Sequence, residues 1–483
     1  MNGPLRRLAM LLMIGFALMI GMATWVQVIA ADRYRLDPRN PRPALTQSGK
    51  ERGRILAVDE TILAESIPDP DHRGSFLRVY PEGAPFTYPV GWSSREFGET
   101  GLEEAYSSQL RSRRDLTLSD LLAALLGEDL RPHHLVTTID PAVQQAAYEA
   151  LDGQTGAVVA IDPTTGAILA MVSSPSFDPA ILEEEDAETT WMELSTDPSR
   201  PLLDRTTQEH YPPGSTFKTV VAGAAIDTGT AGPETTFPDP TEFQLPGSTA
   251  TISNFDGEVC NDGVEATVEQ AFVRSCNTIF AEVSIATGAE EIGLTADASG
   301  FNREIPFPWP LAASVFPTAD LVDDPAALAQ SGIGERDVRA TALVMTMVAA
   351  GVANQGVVMH PYLVSRIIDA TGATVEETQP IPFERSMAAA TAGVVGEMMQ
   401  KVVREGTGTA AAISGVRVAG KTGTSTGVGN LPNAWFIGYA PAEDPTIAVA
   451  VVVEAGGKAG EDATGGSVAA PIARQVIEAS LRS

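Results

Sequence analysis

The stretch that decides the fold is YPPGSTFKTVVAGAAIDTG, residues 211–229. Pro213 suits a position at or just before a helix start, because the N–H that proline lacks is unbonded there in any case. Thr228-Gly229 is a typical stop signal. The residues between them leave little polar face, a composition typical of a buried helix. The sequence therefore predicts a buried helix behind a proline-glycine turn.

Ser215 and Lys218 lie in the first turn of the predicted helix, three residues apart and so on one face. A serine with an amine one turn away is a nucleophile with a candidate base. The simpler interpretation is a capping serine and a surface lysine, which an isolated Ser-x-x-Lys usually is. The chain, however, has only five lysines among 32 Lys+Arg. Because arginine cannot give up its proton and a desolvated lysine can, a lysine in a buried helix here indicates function.

Two further motifs follow in the chain, Ser275-Cys276-Asn277 and Lys421-Thr422-Gly423-Thr424. Ser275 comes 60 residues after Ser215, and Lys421 comes 146 residues after Ser275. Ser-x-x-Lys, Ser-x-Asn and Lys-Thr-Gly in this order are the three motifs of penicillin-recognising serine enzymes. A serine hydroxyl can relay a proton, and an asparagine offers both a donor and an acceptor. Taken alone, the Ser275-x-Asn277 pair is better interpreted as a helix C-cap.

The third motif follows an apolar run, 416–419, so the sequence predicts that it lies on a strand edging a cleft. Gly423 removes a side chain where a substrate backbone approaches. Lys421 supplies positive charge for a substrate carboxylate. A second ammonium near Lys218 would also lower the pKa of Lys218 and favour its basic form. The alternative for Lys421 is an exposed strand lysine without a role.

The N-terminus predicts a membrane anchor. Residues 8–31 are almost wholly apolar, and about 20 such residues span a bilayer. Arg6 and Arg7 precede the run and mark the cytoplasmic side. The competing interpretation is a cleaved signal peptide, whose apolar core is only about 7–15 residues long. We therefore expect a cytoplasmic tail at 1–7, an uncleaved anchor at 8–31 in the plasma membrane, and the rest of the chain outside the cytoplasm.

Residues 32–135 and 136–483 form the two expected ectodomain parts. The first is rich in Arg and Pro, with short predicted strands at 53–58 and 76–80 and a predicted helix at 116–126. No catalytic constellation is found in it, so it is predicted to be a non-catalytic pedestal between membrane and catalytic domain. The catalytic domain would be 136–483.

Five apolar runs predict one antiparallel sheet in the catalytic domain: 157–161, 168–172, 416–419, 434–440 and 446–454. The final helix, about 468–481, would cover one face and the helix after Tyr211 the other. Residues 267–366 are largely helical in pattern, with a capping box at Thr267 to Gln270. The expected fold class is α+β.

Composition excludes several classes of function. The net charge of −30 argues against nucleic acid, which needs a basic face. Only five histidines occur, without metal-ligand spacing, and His133 and His134 would point to opposite faces of a strand. We expect no metal and no cofactor.

Cys260 and Cys276 are the only cysteines, an even number in an oxidising compartment. The sequence predicts that they form a disulfide, which would hold Ser275 and Asn277 in place. The alternative is that Cys276 is a small buried apolar residue and Cys260 a free loop thiol.

Longer phrases carry a resemblance to a known family: RGRI at 52–55, TTIDPAVQQAAYEAL at 137–151, GAVVAIDPTTGAILAMVSSPSFDP at 156–179, YPPGSTFK at 211–218, SCNT at 275–278, AGKTGT at 419–424 and AWFIGYAPAEDP at 434–445. The chain resembles a class B penicillin-binding protein, a monofunctional peptidoglycan D,D-transpeptidase. It is most similar to the short penicillin-binding protein A type of high-GC Gram-positive bacteria. One departure is visible, since such proteins usually follow the third motif with Ala-Glu and this chain has Ser425-Thr426.

The resemblance implies the penicillin-recognising serine transpeptidase fold, a five-stranded antiparallel sheet covered by helices plus a mainly helical subdomain. It also implies a role for each motif residue: Ser215 as acylated nucleophile, Lys218 as its base, Ser275 as proton relay, Asn277, Thr422, Gly423 and Thr424 as substrate contacts, Lys421 as electrostatic anchor, and the N–H groups of Ser215 and Thr424 as oxyanion hole.

The expected reaction is acyl transfer from a D-Ala–D-Ala stem peptide to an amine on a neighbouring strand, with β-lactams acylating the same serine. The expected partners are stem peptides, β-lactams, the membrane, a membrane glycan polymerase, and division or elongation proteins. About 130 residues before the catalytic domain are few for a glycan-polymerising domain, so a bifunctional enzyme is not expected. Two alternatives stay open: a D,D-carboxypeptidase or class D-like β-lactamase that uses water, and a β-lactam sensor or scaffold without turnover.

Overall fold

The structure is a computed structural model that describes residues 2–26, 49–94, 96–111, 131–184 and 186–482. The helix predicted at 116–126 and the last part of the predicted anchor, 27–31, lie outside the described residues. The architecture is α+β, as predicted, with a five-stranded sheet at its centre.

The N-terminal helix is Asn2–Thr24. Within it, Arg6–Thr24 is long and apolar enough to cross a membrane, and none of that stretch is buried against the rest of the protein. An apolar helix of 19 residues with every side chain exposed is a candidate membrane anchor.

The five-stranded sheet, here the catalytic sheet, has every neighbouring pair antiparallel. Its strands, in spatial order, are Ala419–Thr426, Pro432–Ala440, Ile447–Val453, Gly156–Ile161 and Ile168–Ser174. The sheet confirms the predicted set of strands with one correction. The strand predicted at 416–419 begins where that run ends, because residues 419–426 pair along their whole length with Pro432–Ala440. The third motif therefore lies within the edge strand itself.

Alternate residues of the catalytic sheet enter two different cores. On Ile447–Val453, the odd-numbered residues face the helices Pro141–Leu151 and Ala470–Ser480. The even-numbered residues face the other core. On that side the helix Ala342–Ala353 packs across the middle strands. The predicted covering by the helix after Tyr211 was wrong: that helix packs mainly against other helices, and Ala342–Ala353 covers the sheet in its place.

The predicted helix after the proline-glycine turn is present in two parts. Residues Gly214–Phe217 form a 3₁₀ turn, here the nucleophile turn, and the α-helix is Lys218–Asp227. Ser215 is thus in the turn and Lys218 opens the helix. In a 3₁₀ turn residues three apart are eclipsed, so both still share one face. The helix ends at Asp227, one residue before the predicted stop.

Helices form most of the layer around the nucleophile turn, as the pattern at 267–366 predicts. The capping box at Thr267 and Gln270 is present. Beyond the anchor, the α-helices formed by the described residues are Thr87–Val90, Gly101–Ala105, Ser107–Leu110, Pro141–Leu151, Ala187–Thr196, Lys218–Asp227, Val268–Arg274, Asn277–Thr287, Ala289–Ala298, Thr318–Leu321, Pro325–Gly332, Ala342–Ala353, Ala389–Glu405 and Ala470–Ser480.

A second, six-stranded sheet draws strands from both sides of residue 135. Its strands in spatial order are Thr374–Glu377, Val364–Ile368, His134–Thr137, Ile55–Leu56, Ile62–Pro68 and Phe76–Val79. His134–Thr137 pairs with Ile55–Leu56 and also with Val364–Ile368. The described residues also form four two-stranded sheets: Glu242–Gln244 with Thr251–Ser253, Thr236–Pro238 with Glu265–Thr267, Val357–Met359 with Pro382–Arg385, and Ser93–Ser94 with Gly98–Glu99.

Buried charges stabilise the N-terminal part. Glu103 is fully buried and accepts hydrogen bonds from Arg52 Nε at 2.9 Å and Arg78 Nε at 2.6 Å. Arg52 also bonds Glu99 at 2.7 Å, and Arg111 bonds the same carboxylate. Since a buried carboxylate is tolerated only when paired, these arginines fix the helix Gly101–Ala105 against the second sheet.

Candidate active site

The nucleophile turn is held against the catalytic sheet by its preceding loop. The carbonyl oxygen of Pro212 accepts two hydrogen bonds, from Trp435 Nε1 at 3.0 Å and from Ser425 Oγ at 2.6 Å. Ser425 is one of the two residues that depart from the family pattern. Here its hydroxyl ties the end of the third motif to the loop that presents Ser215.

Two glycines let the turn approach the edge strand closely. A Cβ on Gly423 would lie 2.8 Å from Pro213 O and 3.0 Å from Thr216 N. Gly214 has φ of +54°, and a Cβ there would lie 2.5 Å from Thr424 O. Any larger residue at either position would push the turn away from the strand. Gly423, predicted to clear space for substrate, also clears space for the turn itself.

Lys218, three residues after Ser215, is fully buried. Its Nζ donates hydrogen bonds to Ser275 O at 2.7 Å and to Asn277 Oδ1 at 2.8 Å. A neutral amine has two N–H donors and one lone pair. The two acceptors take both donors of the neutral form, which leaves the lone pair free to receive a proton.

Lys421 is also fully buried. Its Nζ donates to Ser275 Oγ at 2.7 Å and to Thr422 O at 2.9 Å. Ser275 therefore meets both lysines, Lys218 through its carbonyl and Lys421 through its hydroxyl. The first, second and third motifs, far apart in sequence, converge on this one serine.

Burial sets the protonation of both lysines. Desolvation lowers the pKa of Lys218 well below its ordinary value, and the nearby positive charge of Lys421 lowers it further. Desolvation lowers the pKa of Lys421 to about 7. Both shifts favour the neutral amine, and the pKa of Lys421 places its titration midpoint near neutral pH.

Two phenylalanines that sequence reasoning missed make this environment apolar. The Lys218 Nζ lies 5.6 Å from the centre of the Phe280 ring, and the Lys421 Nζ lies 5.6 Å from the centre of the Phe272 ring. The rings also contact each other. One lies three residues before the second motif and the other three residues after it. The sequence shows this spacing, but only the positions of both lysines in the structure reveal its role.

The second motif is held in place by hydrogen bonds to neighbouring residues and by a disulfide. Ser275 ends the helix Val268–Arg274 with a left-handed φ of 67°, and Asn277 begins the next helix. Asn254 Oδ1 accepts from Asn277 N at 2.7 Å, and Asn277 Nδ2 donates to Ser253 O at 3.0 Å. Cys260 and Cys276 are joined by a disulfide. Nothing in the sequence pattern pointed to Asn254.

A cleft of about 300 Å³ opens over these groups. It is lined by Ser215, Ser275, Asn277, Thr422, Gly423 and Thr424 among the predicted residues. The two lysines are fully buried and are not part of its lining. Sequence reasoning missed the rest of the lining: Phe255, Arg274, Ile333, Glu335, Thr407 and Thr464–Gly466. Glu335 is held by Thr426 N, which donates to its Oε1 at 3.2 Å.

The arrangement brings together the parts of nucleophilic catalysis at a serine. A hydroxyl lines a cleft, a buried amine lies one turn away, and a second hydroxyl is bonded to a second amine. These parts suit acyl transfer through a covalent ester.

Sequence comparisons give the family. Residues 156–478 match the penicillin binding protein transpeptidase domain, and residues 52–133 match the penicillin binding protein A dimerisation domain. The peptidoglycan D,D-transpeptidase PbpA of Mycolicibacterium smegmatis is 41% identical over 100% of this chain and 99% of its own length. PbpA of Mycobacterium tuberculosis is 39% identical with the same coverage.

Comparison with solved structures gives the same family as the sequence comparisons. Penicillin-binding protein A from M. tuberculosis, as its ceftriaxone acyl-enzyme, matches with a TM-score of 0.83 at 38% identity, over 90% of this chain and 100% of that one. The penicillin G acyl-enzyme of the same protein gives a TM-score of 0.82 at 38% identity, over 89% and 100%. With full-length relatives, a matching fold and the three motifs in one cleft, the chain belongs to the penicillin-binding protein transpeptidases.

Proposed function

We propose that Ser215 carries the peptidoglycan D,D-transpeptidase activity of this chain, with Lys218 as its base. The observation that carries this assignment is the environment of Lys218. It is a buried amine, one turn from a cleft-lining serine, whose hydrogen bonds to Ser275 O and Asn277 Oδ1 suit the neutral form. A serine hydroxyl needs such a base to be a nucleophile at neutral pH.

In the acylation step Lys218 Nζ takes the proton of the Ser215 hydroxyl, and Oγ attacks the carbonyl carbon between the two D-alanines. The N–H groups of Ser215 and Thr424 stabilise the oxyanion. The tetrahedral intermediate collapses, the amide C–N bond breaks, and the leaving amine receives the proton through the Ser275 hydroxyl. D-alanine leaves, and the remaining peptide is an ester of Ser215.

In the second step an amine of a neighbouring stem peptide attacks the ester, and Ser215 regains its proton as the new amide forms. β-Lactams take the place of the donor in the first step only. Asn277, Thr422, Gly423 and Thr424 line the cleft and contact the peptide. Lys421 acts through its charge and through the Ser275 hydroxyl that it bonds.

The catalytic domain works on the outer side of the plasma membrane, held by the single N-terminal span. The candidate anchor Arg6–Thr24 supports this placement. Residues 32–135 serve as a non-catalytic pedestal. A membrane glycan polymerase supplies the strands, and division or elongation proteins set where the enzyme acts.

The test separates this function from the alternatives. The full-length protein is incubated with a D-Ala–D-Ala donor peptide, with and without an amine acceptor peptide, and products are resolved by mass spectrometry. A transpeptidase forms the cross-linked product. If the hydrolysed donor is the only product, the result would favour a D,D-carboxypeptidase. Steady turnover of β-lactams would favour a β-lactamase. A stable adduct with neither product would favour a sensor.

A further inference from the structure

We propose that a cavity beside the cleft, here the acceptor cavity, binds the amine-bearing stem peptide that accepts the acyl group. The cavity has a volume of about 680 Å³ and is lined by residues of the loop 254–261, of the helix Val268–Arg274 and of the end of the helix Ala389–Glu405. The inference rests on the proposed function, in which an amine of a second stem peptide attacks the ester on Ser215. It gives that second substrate a site of its own.

The order of the two steps requires such a site. After acylation the donor peptide stays bound as an ester of Ser215, so it still occupies the cleft when the acceptor arrives. The cleft, at about 300 Å³, is at the lower end of the range of ligand pockets, roughly 300–1,000 Å³. It therefore has room for the end of one stem peptide, and the acceptor has to approach from a neighbouring space.

Ser275 identifies the side from which the acceptor approaches. In the first step the leaving amine receives its proton through the Ser275 hydroxyl. By microscopic reversibility, the acceptor amine gives up a proton at the same place in the second step. Ser275 lines both the cleft and the acceptor cavity, and so do Phe255, Arg274 and Thr407. The larger space thus adjoins the cleft at the residue that transfers the proton.

The loop that forms one wall of the acceptor cavity is held in a fixed shape. The carboxylate of Asp239, which is buried, accepts hydrogen bonds from Cys260 N and Asn261 N, both at 2.7 Å. Asn254 Nδ2 donates to Glu258 O at 2.9 Å. The disulfide joins the same loop to the second motif. A wall fixed in this way makes a pre-formed pocket, as ligand sites generally are.

The opposite wall is connected to the motifs as well. Lys401 Nζ lies 2.5 Å from Glu269 Oε1, an ion pair that ties the helix Ala389–Glu405 to the helix before Ser275. The hydroxyls of Thr407 and Thr422 share a hydrogen bond of 2.5 Å, and Thr422 belongs to the third motif. The walls of the cavity are therefore held by the same elements that hold the catalytic groups.

Glu258 supplies a charge that favours an amine. It is exposed and lines the acceptor cavity, and no ion pair or hydrogen bond joins its carboxylate to another described residue. The other two glutamates of the lining are paired, Glu269 with Lys401 and Glu405 with Arg404. An aliphatic amine is protonated at neutral pH, so it arrives as a cation.

The protons of the transfer balance. The bound ammonium ion releases one proton to water, and the neutral amine attacks the ester carbon. The new C–N bond forms, the ester C–O bond breaks, and the second proton passes from the nitrogen through Ser275 to Ser215 Oγ. The products are the cross-linking amide and the free serine hydroxyl.

The experiment separates acceptor binding from acylation. The full-length protein is mixed with the D-Ala–D-Ala donor peptide and one of three acceptors: an N-acetylated stem tripeptide that ends in lysine, the same tripeptide ending in meso-diaminopimelate, or glycine. Mass spectrometry gives the ratio of transferred to hydrolysed donor. Glycine is small enough to reach the ester without filling the cavity. Penicillin labelling of each variant shows that its fold and Ser215 are intact.

Two variants fill the cavity from its opposite walls, Glu258→Trp and Glu405→Trp. Glu258→Gln removes the charge without adding bulk. Glu397→Trp is the matched control, because Glu397 is exposed on the same helix as Glu405 but lines neither the cavity nor the cleft.

Both filling variants should lower the transferred-to-hydrolysed ratio by about tenfold or more with the tripeptide that wild type uses better, the effect of about 1.4 kcal/mol of lost binding, and the loss should be absent with glycine. Glu258→Gln should lower the same ratio about threefold, the range of an exposed ion pair. Glu397→Trp should match wild type with every acceptor.

An unchanged ratio with the tripeptide in both filling variants overturns the proposal, and so does an equal loss with tripeptide and glycine. Failure of the proposed function is distinct, because wild type itself would then transfer the donor to none of the three acceptors.

Discussion

At the scale of single residues, the protonation state of Lys218 decides whether Ser215 can react. Lys218→Arg keeps a positive charge but cannot supply a neutral amine, so acylation by a labelled penicillin should fall by several orders of magnitude. The rate of adduct formation checks this. Lys458→Arg is the control, because Lys458 is an exposed lysine paired with Asp152. Acylation of Lys218→Arg at the wild-type rate would remove Lys218 from its role.

The pKa of Lys421 predicts how stability depends on pH. Lys421 titrates at about 7 in the folded protein, against 10.5 ordinarily. Between these values the unfolded chain binds more protons than the folded protein, so the free energy of unfolding rises with pH. Denaturant unfolding from pH 7 to 9 should show this rise in wild type and a smaller one in Lys421→Met. Lys458→Met, at an exposed site, should keep the wild-type slope, and an equal slope in Lys421→Met would contradict the buried titration.

The sequence was sufficient to name six of the fourteen residues that line the cleft and insufficient to explain how they work. Two motifs that are visible in the sequence contain Ser215, Lys218, Ser275 and Asn277. The apolar rings beside the lysines carry none. Their importance depends on which side chains they face, and only tertiary packing sets that.

At the scale of secondary-structure elements, helix ends were well predicted because their signals are local. The capping box predicted at Thr267 to Gln270 is present at the start of the helix Val268–Arg274. The helix that covers the second face of the catalytic sheet was predicted wrongly, because the helices Lys218–Asp227 and Ala342–Ala353 are both apolar on all sides. Without a polar face, periodicity cannot tell which one packs on a sheet. The strand through Lys421 and Gly423 was likewise placed too early, because those residues interrupt the apolar run.

The helix Gly101–Ala105 offers a stability test. Glu103→Ala leaves Arg52 and Arg78 buried without their carboxylate, so it should lower the free energy of unfolding by about 3–5 kcal/mol. The neighbouring Glu104 is exposed, and Glu104→Ala should change the free energy of unfolding by less than about 0.5 kcal/mol. Chemical denaturation of both variants measures the difference. Similar small effects at the two positions would mean that the buried ion pairs do not stabilise this part of the protein.

At the scale of the whole molecule, the anchor and the catalytic machinery are separate. The N-terminal helix is fully exposed over Arg6–Thr24, and every proposed catalytic residue lies at or beyond Ser215. Removal of residues 1–31 should therefore leave a soluble, folded protein that reacts with penicillin at the full-length rate. Gel filtration and adduct formation check both properties. Aggregation together with lost labelling would show that the anchor belongs to the fold.

The central claim, that Ser215 is the acylated nucleophile, is tested most directly by mass spectrometry after penicillin treatment. Wild type should gain the mass of one penicillin, and digestion should map it to the peptide that contains Ser215. Ser215→Ala should gain none, and Ser467→Ala, a matched change in the capping box at Thr464, should label like wild type. An adduct on another residue, or a labelled Ser215→Ala protein, would contradict the account.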